Sequence, residues 1–199
     1  MNGIEHWLTP CVADGVGRLA KKQIAVDVGA NIGTWTAPLS EIFSTVVAVE
    51  PDGRASDLIT RKDNVQIVHA AVSDKTGSAT LFKRTTTGHN SLLEEHPIGG
   101  EGGAPVPVSG KETVDTVTLD DLLKSGADFV KIDIEGGEVA ALRGCKDKSR
   151  WSRTFFVVEC HDTFGDVSME LDRLGKTVTH VAHPYVGACH PGHCWAIGE

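Results

Sequence analysis

The stretch V-D-V-G-A-N-I-G-T-W-T, from Val26 to Thr36, decides the fold. A run of β-branched residues enters a turn with glycines at 29 and 33, and a helix-compatible segment follows. Glycine allows backbone angles and close approaches that a side chain blocks. The first amides of a helix leaving such a turn face whatever binds above it. The same alternation continues outward: Ile24–Val28, Val46–Glu50, Val65–His69, Phe129–Asp133 and Phe155–Cys160 read as strands. Helices are predicted at Thr34–Phe43, Arg54–Arg61, Leu119–Lys124, Gly137–Cys145 and Asp166–Leu174, with Pro38 tolerable only in a first turn. Strands this evenly apolar are covered on both faces, so the class is α/β, a doubly wound and mostly parallel sheet with helices on each side. Two extended runs, Val178–Ala182 and Cys194–Gly198, predict a terminal antiparallel pair.

Composition narrows the partners. The 199 residues carry 19 Lys+Arg against 27 Asp+Glu, a formal charge of -8. An acidic chain without a concentrated basic face is not expected to bind nucleic acid. No apolar run reaches the length of a membrane span, and Met1 to Pro10 carries no targeting pattern, so a cytoplasmic single domain over 1–199 is expected. Five scattered cysteines, an odd number, fit no disulfide framework. Residues 1–22 read as an amino-terminal helical segment. The glycine-rich Ile98–Gly110 lies within a predicted mobile loop, 84–112, near the acceptor site.

The glycine spacing bears on the cofactor. A dinucleotide site wants G-x-G-x-x-G, whose middle glycine admits a pyrophosphate, whereas here Asn31 holds that position. S-adenosylmethionine has no pyrophosphate and needs only the glycine turn and an acid for the ribose diol. Glu50, at the end of the next strand, stands where such an acid belongs. A G-x-x-x-G turn also serves simply to pack a helix closely on a strand. A nicotinamide-dependent oxidoreductase and a non-catalytic nucleoside-binding module are the alternatives.

From Val26 to about Glu159 the chain resembles the FkbM family of S-adenosylmethionine-dependent methyltransferases. The resemblance rests on V-D-V-G-A-N-I-G from Val26, V-E-P-D from Val49, A-A-V-S-D from Ala70, N-S-L from Asn90, V-T-L-D-D-L from Val117, V-K-I-D-I-E-G-G-E from Val130 and V-V-E from Val157. It implies the class I methyltransferase fold, a Rossmann-like sheet of seven strands whose last runs antiparallel. It implies a cofactor site of Asp27, Gly29, Asn31, Gly33, Glu50 and Pro51, with Ala71, Val72 and Asp74 around the adenine. The acceptor it implies is a hydroxyl on a saccharide or small natural product, with N-methylation the lesser alternative.

Methyl transfer requires alignment, exclusion of water and often a base for the hydroxyl proton. In an open α/β sheet those groups stand at the carboxyl ends of strands. Asp133, next to the glycine-turn strand, is the first catalytic candidate. His161, with an intrinsic pKa suited to a base, and His89 are the others. Glu135 and Glu159 are candidates for substrate contact, while Glu135 and Glu138 are also explained as acids at a helix start. Asp133, Glu159 and His161 have the donor types of a divalent-ion site, but scattered strand-end carboxylates are weak grounds and no metal is expected. The tail from His180 to Cys194 holds four histidines and two cysteines. Adjacent Cys189-His190 and His193-Cys194 pairs do not suit one zinc ion, so His183 and Tyr185 are read as substrate contacts. So short a lead before the glycine turn leaves the acceptor pocket to residues 1–20, the glycine-rich loop and the tail, or to a second subunit of a homo-oligomer.

Overall fold

The computed structural model describes residues 9–85, 87–95, 106–182 and 193–199, with side chains from Val12 and, in the last segment, from Cys194. Helix α1 (Thr9–Arg18) precedes β1 (Ile24–Val28), α2 (Thr36–Ser40), β2 (Thr45–Val49), α3 (Gly53–Ser56) and β3 (Val65–Val68). Next come β4 (Ala71–Val72), β5 (Gly77–Arg84), β6 (Val108–Val117), α4 (Leu119–Leu122), β7 (Phe129–Ile132) and α5 (Glu138–Arg143). Helix α6 (Lys148–Trp151), β8 (Phe155–His161), α7 (Phe164–Arg173), β9 (Val178–Ala182) and β10 (His193–Gly198) complete the order.

Seven strands form the main sheet in the order β3-β2-β1-β7-β8-β10-β9. β1 pairs in parallel with β2 on one side and β7 on the other. β10 runs antiparallel to both β8 and β9, so the expected parallel sheet with its final reversed strand is what the chain forms. Because side chains alternate across a strand, one face of the sheet buries Val26, Val130, Ile132 and Phe156 against Leu142, Trp151, Val167 and Leu171. The other buries Ala25, Phe129, Phe155 and Val157 against Val12, Trp35, Leu39 and Phe43. Trp35, Phe43 and Phe155 all lie around Phe129, with ring centroids 5.7–6.5 Å from it.

Three local expectations change. The helix predicted over Thr34–Phe43 is only the five residues of α2, with Pro38 inside its single turn, and Arg54–Arg61 shrinks to α3. The segment 84–112 is not one loop: Arg84 ends β5, 108–112 belong to β6, and residues 87–89 form a 3-10 turn. β4, β5 and β6 make a second, three-stranded sheet that the apolar pattern did not reveal. Its ribbon is largely wet, with β6 burying only Val114 and Thr116, so it carries no apolar run. Among the described residues no helix is long and apolar enough to cross a membrane.

At the sharpest point of the fold, Gly29 has φ +72°, and a Cβ there would lie 1.9 Å from the carbonyl oxygen of Asp133. Gly29→Ala is expected to cost at least roughly 1–2 kcal/mol from the left-handed backbone alone, and more for displacing the 133 carbonyl. Gly17→Ala on α1, where a Cβ meets nothing within 4 Å, should be neutral or stabilising by up to about 1 kcal/mol. Urea denaturation of the two variants tests the contrast.

Candidate active site

The order of the sheet reverses between β1 and β7, and a crevice opens beyond the carboxyl ends of strands at such a point. Here it is a partly open cleft. Its floor is the glycine turn. The amides of Gly29 and Ala30 both donate to the carbonyl of Val49, which ties the turn to the end of β2. Glu50, 6% exposed, accepts from the amide of Asn31 on Oε2 at 3.0 Å and from the amide of Asp52 on Oε1 at 2.9 Å. Burial raises its pKa to about 6, against the opposing pull of those two amides and of Lys131. Each carboxylate oxygen keeps a lone pair for a ligand hydroxyl.

Behind the turn lies a buried ion pair. Lys131, opposite Asp27 in the β1–β7 register, sends its Nζ to Asp27 Oδ1 at 3.2 Å, Asp133 Oδ2 at 3.4 Å and the carbonyl of Gly29 at 2.8 Å. Burial disfavours the ammonium, but Asp27 and Asp133 outweigh it and hold the pKa above the ordinary lysine value. Asp27 also accepts from Thr36 Oγ1 at 2.6 Å. It is 0% exposed and does not line the cleft.

The roof comes from the segment after β5. Arg84 is 0% exposed, and its guanidinium donates to five carbonyls, those of Phe82, His89, Leu93, Glu94 and Val106. The residues it gathers reach across the cleft. Thr87 Oγ1 donates to Asn31 Oδ1 at 2.7 Å, Asn90 Nδ2 to Asp52 Oδ2 at 2.7 Å, and Ser91 Oγ to the carbonyl of Glu135 at 2.7 Å. Thr87, Asn90 and Ser91 line the cleft without having been assigned a role from the sequence. For Asn90 and Ser91 the N-S-L motif was the signal; Thr87 had none.

Of the residues proposed for the cofactor, Gly29, Asn31, Glu50, Pro51, Ala71 and Val72 line the cleft. Gly33, with φ +90°, instead faces Ile59, whose side chain lies 3.2 Å from where a Cβ would sit. Asp74 is exposed and outside the lining. His89 is likewise not a lining residue, although its carbonyl anchors Arg84 and its neighbours Gly88 and Asn90 do line the cleft. His183 and Tyr185 lie outside the described residues, as do Cys189 and His190.

Asp133 and Glu135 also line the cleft, and beside them β8 carries Glu159 and His161, two positions apart and so on one face. Ligand atoms of Asp133, Glu159 and His161 all lie within 4.8 Å of one another. His161, 2% exposed, meets Glu138 Oε1 with Nδ1 at 2.9 Å and Glu135 Oε2 with Nε2 at 3.4 Å. Burial alone would lower its pKa, but the Glu138 hydrogen bond and the charges of Glu135, Glu138 and Glu159 raise it to about 10. The direction of this shift runs against a neutral ring acting as a base near pH 7 and favours the protonated form. Burial raises and Lys131, His161 and Glu159 lower the pKa of Asp133, with a net fall, so this acid is ionised. The three donors are of types that a divalent ion accepts, yet Lys131 and the protonated ring already bring positive charge to them.

The chain matches the methyltransferase FkbM domain over residues 27–178. It belongs to the FkbM methyltransferase family. A hexuronic acid methyltransferase, AglP of Haloferax volcanii, is 30% identical over 142 residues, 68% of this chain and 54% of the relative. The chain thus spans about half the length of the curated relative it matches. A methyltransferase FkbM of Methylobacillus flagellatus shares the fold at a TM-score of 0.58 and 15% identity, over 90% of this chain and 44% of that one. A Streptococcus mutans protein described as a methyltransferase, solved with SAH, superposes at a TM-score of 0.55 and 13% identity over 98% of both chains. At such identities the likeness to solved structures is one of fold, here the class I methyltransferase fold. The FkbM motif N-S-L corresponds to the roof described above.

The roof depends on a planar, five-donor group. Arg84→Lys, which keeps the charge but cannot reach five carbonyls, is expected to cost about 1–3 kcal/mol for the buried acceptors it strands. Amide exchange over 87–95 should quicken, while β1 and β7 stay protected; unchanged exchange there would refute the anchoring role.

Proposed function

We propose that this FkbM methyltransferase uses S-adenosylmethionine and methylates a hydroxyl group on a sugar or small natural product. The observation that carries the reading is the buried Glu50 carboxylate beside the Gly29 turn, with the ionised Asp133 lining the same cleft. The residues present suit the cofactor. Glu50 has acceptor capacity for a ribose diol, Ala71 and Val72 offer small apolar walls for a purine, and the Asp133 and Glu135 carboxylates favour a sulfonium cation.

S-adenosylmethionine supplies an electrophilic methyl group whose bonding electron pair returns to sulfur on transfer. The chain's task is to hold donor and acceptor in line and to receive the hydroxyl proton. Asp133 is the group for that proton. A weak base suffices, since the hydroxyl becomes strongly acidic as its oxygen gains the methyl group. The roof residues Thr87, Asn90 and Ser91 keep water from the transfer path. The sugar acceptor is supported by the named substrate class of the Haloferax relative and by the family.

Calorimetry tests the cofactor: S-adenosylmethionine and S-adenosylhomocysteine should bind and NAD should not. Glu50→Ala should weaken binding by about 1–3 kcal/mol, the scale of a lost charged hydrogen bond. The pH dependence has a definite sign. A ribose diol donates to the carboxylate form, so affinity should be full above about pH 6, where Glu50 is ionised, and should fall as the pH drops below it. An affinity flat from pH 7.5 to 5 would remove Glu50 from the ribose. Transfer of a labelled methyl group to a panel of sugars, abolished or strongly slowed in Asp133→Asn, tests the chemistry.

A further inference from the structure

We propose that Glu138 is a positioning residue, which holds His161 as a positively charged ring between Glu138 and Glu135, and that this buried cation rather than a metal ion gathers the acids beside the cleft. The proposal rests on the methyltransferase reading for its functional consequence, but its structural content stands by itself.

The geometry is one-sided. A carboxylate only accepts hydrogen bonds, so a ring nitrogen facing one must carry a proton. His161 Nδ1 hydrogen-bonds Glu138 Oε1 at 2.9 Å, which calls for a proton on Nδ1, and Nε2 stands at ion-pair distance, 3.4 Å, from Glu135 Oε2, where a second proton is favoured. Glu138 is 0% exposed and itself fixed: it accepts from the amide of Gly136 at 2.8 Å and from Thr163 Oγ1 at 3.1 Å. A carboxylate that served only as the acid of a helix start would have no need of full burial or of a histidine from another strand.

Titratable groups surround the ring. Glu159 comes from β8, Asp133 and Glu135 from the turn after β7, Glu138 from α5, and the Cys194 thiol from β10. His193 is the register partner of His161. Lys131, two residues before Asp133 and on β7, sets its ammonium 3.4 Å from that acid. With four carboxylates around it, the ring supplies the second positive charge of the cluster. It also reaches the cleft indirectly, since it steadies Glu135, a lining residue in the left-handed region at φ +57°, against the roof bond from Ser91.

The test uses the intact protein labelled with 15N-histidine, the His161 signals being those missing from His161→Asn. In the wild type both ring nitrogens should remain protonated through neutral pH and lose a proton only near pH 10. In Glu138→Gln the ring should titrate toward the ordinary 6.5. S-adenosylhomocysteine affinity should be kept, kcat should fall, and the alkaline limb of the rate profile should move to lower pH. Glu135→Gln, which removes the other partner, should shift the ring in the same direction by less.

A wild-type ring that titrates near 6.5 overturns the proposal whether or not any variant folds. So does a Glu138→Gln protein with unchanged ring titration and rate profile. A third contrary outcome is a rate lost on chelation, restored by Mg²⁺ or Mn²⁺ alone, with the His161 Nε2 proton signal lost as the metal is added; that would make the acids and ring metal ligands. If S-adenosylhomocysteine does not bind the wild type, the methyltransferase reading fails separately, with the ring measurement still decisive for the cation.

Discussion

The ammonium of Lys131 is the constraint on which the rest of the site depends. It stands in the middle of the sheet where β1 and β7 part from their turns, and it touches the acid of one strand, the acid of the other and the carbonyl of the glycine between them. Isolated, a buried ammonium would be severely unfavourable. Surrounded this way, it makes the two strand ends a single electrostatic unit. Removing either acid would leave a stranded charge, the case in which buried pairs matter most. The orientation of Asp133 is accordingly set from the side of the glycine turn.

Much of this was legible in the linear sequence, and for definite reasons. Strands buried on both faces must be apolar throughout, so the runs at Ile24, Val46, Phe129 and Phe155 announce a covered parallel sheet. Glu50 was legible because a strand-end acid following a glycine turn has few purely structural reasons to exist. Lys131 was not, since one polar residue inside an apolar run looks like noise until its register partner is known to be Asp27. The second sheet was hidden because a solvent-exposed ribbon has no apolar face to display.

His161 shows a different limit. Its residue type suggested a base, and type alone cannot say otherwise. The partners that decide its proton are Glu138 and Glu135, more than twenty positions earlier in the chain, brought to it by the packing of α5 and α7 over β8. Charge states of buried groups are properties of neighbourhoods, which linear spacing does not convey. The same holds for Arg84, an ordinary surface residue by composition, which becomes the hub of the roof because five carbonyls converge on it.

The close approach of Gly29 to the carbonyl of Asp133 has a consequence for how this protein can diversify. Backbone is packed on backbone there, with no side chain between to lengthen or shorten. The separation between the glycine turn and the Asp133 backbone therefore works as a fixed gauge, and any change in the shape of the cleft must come from segments free of that contact.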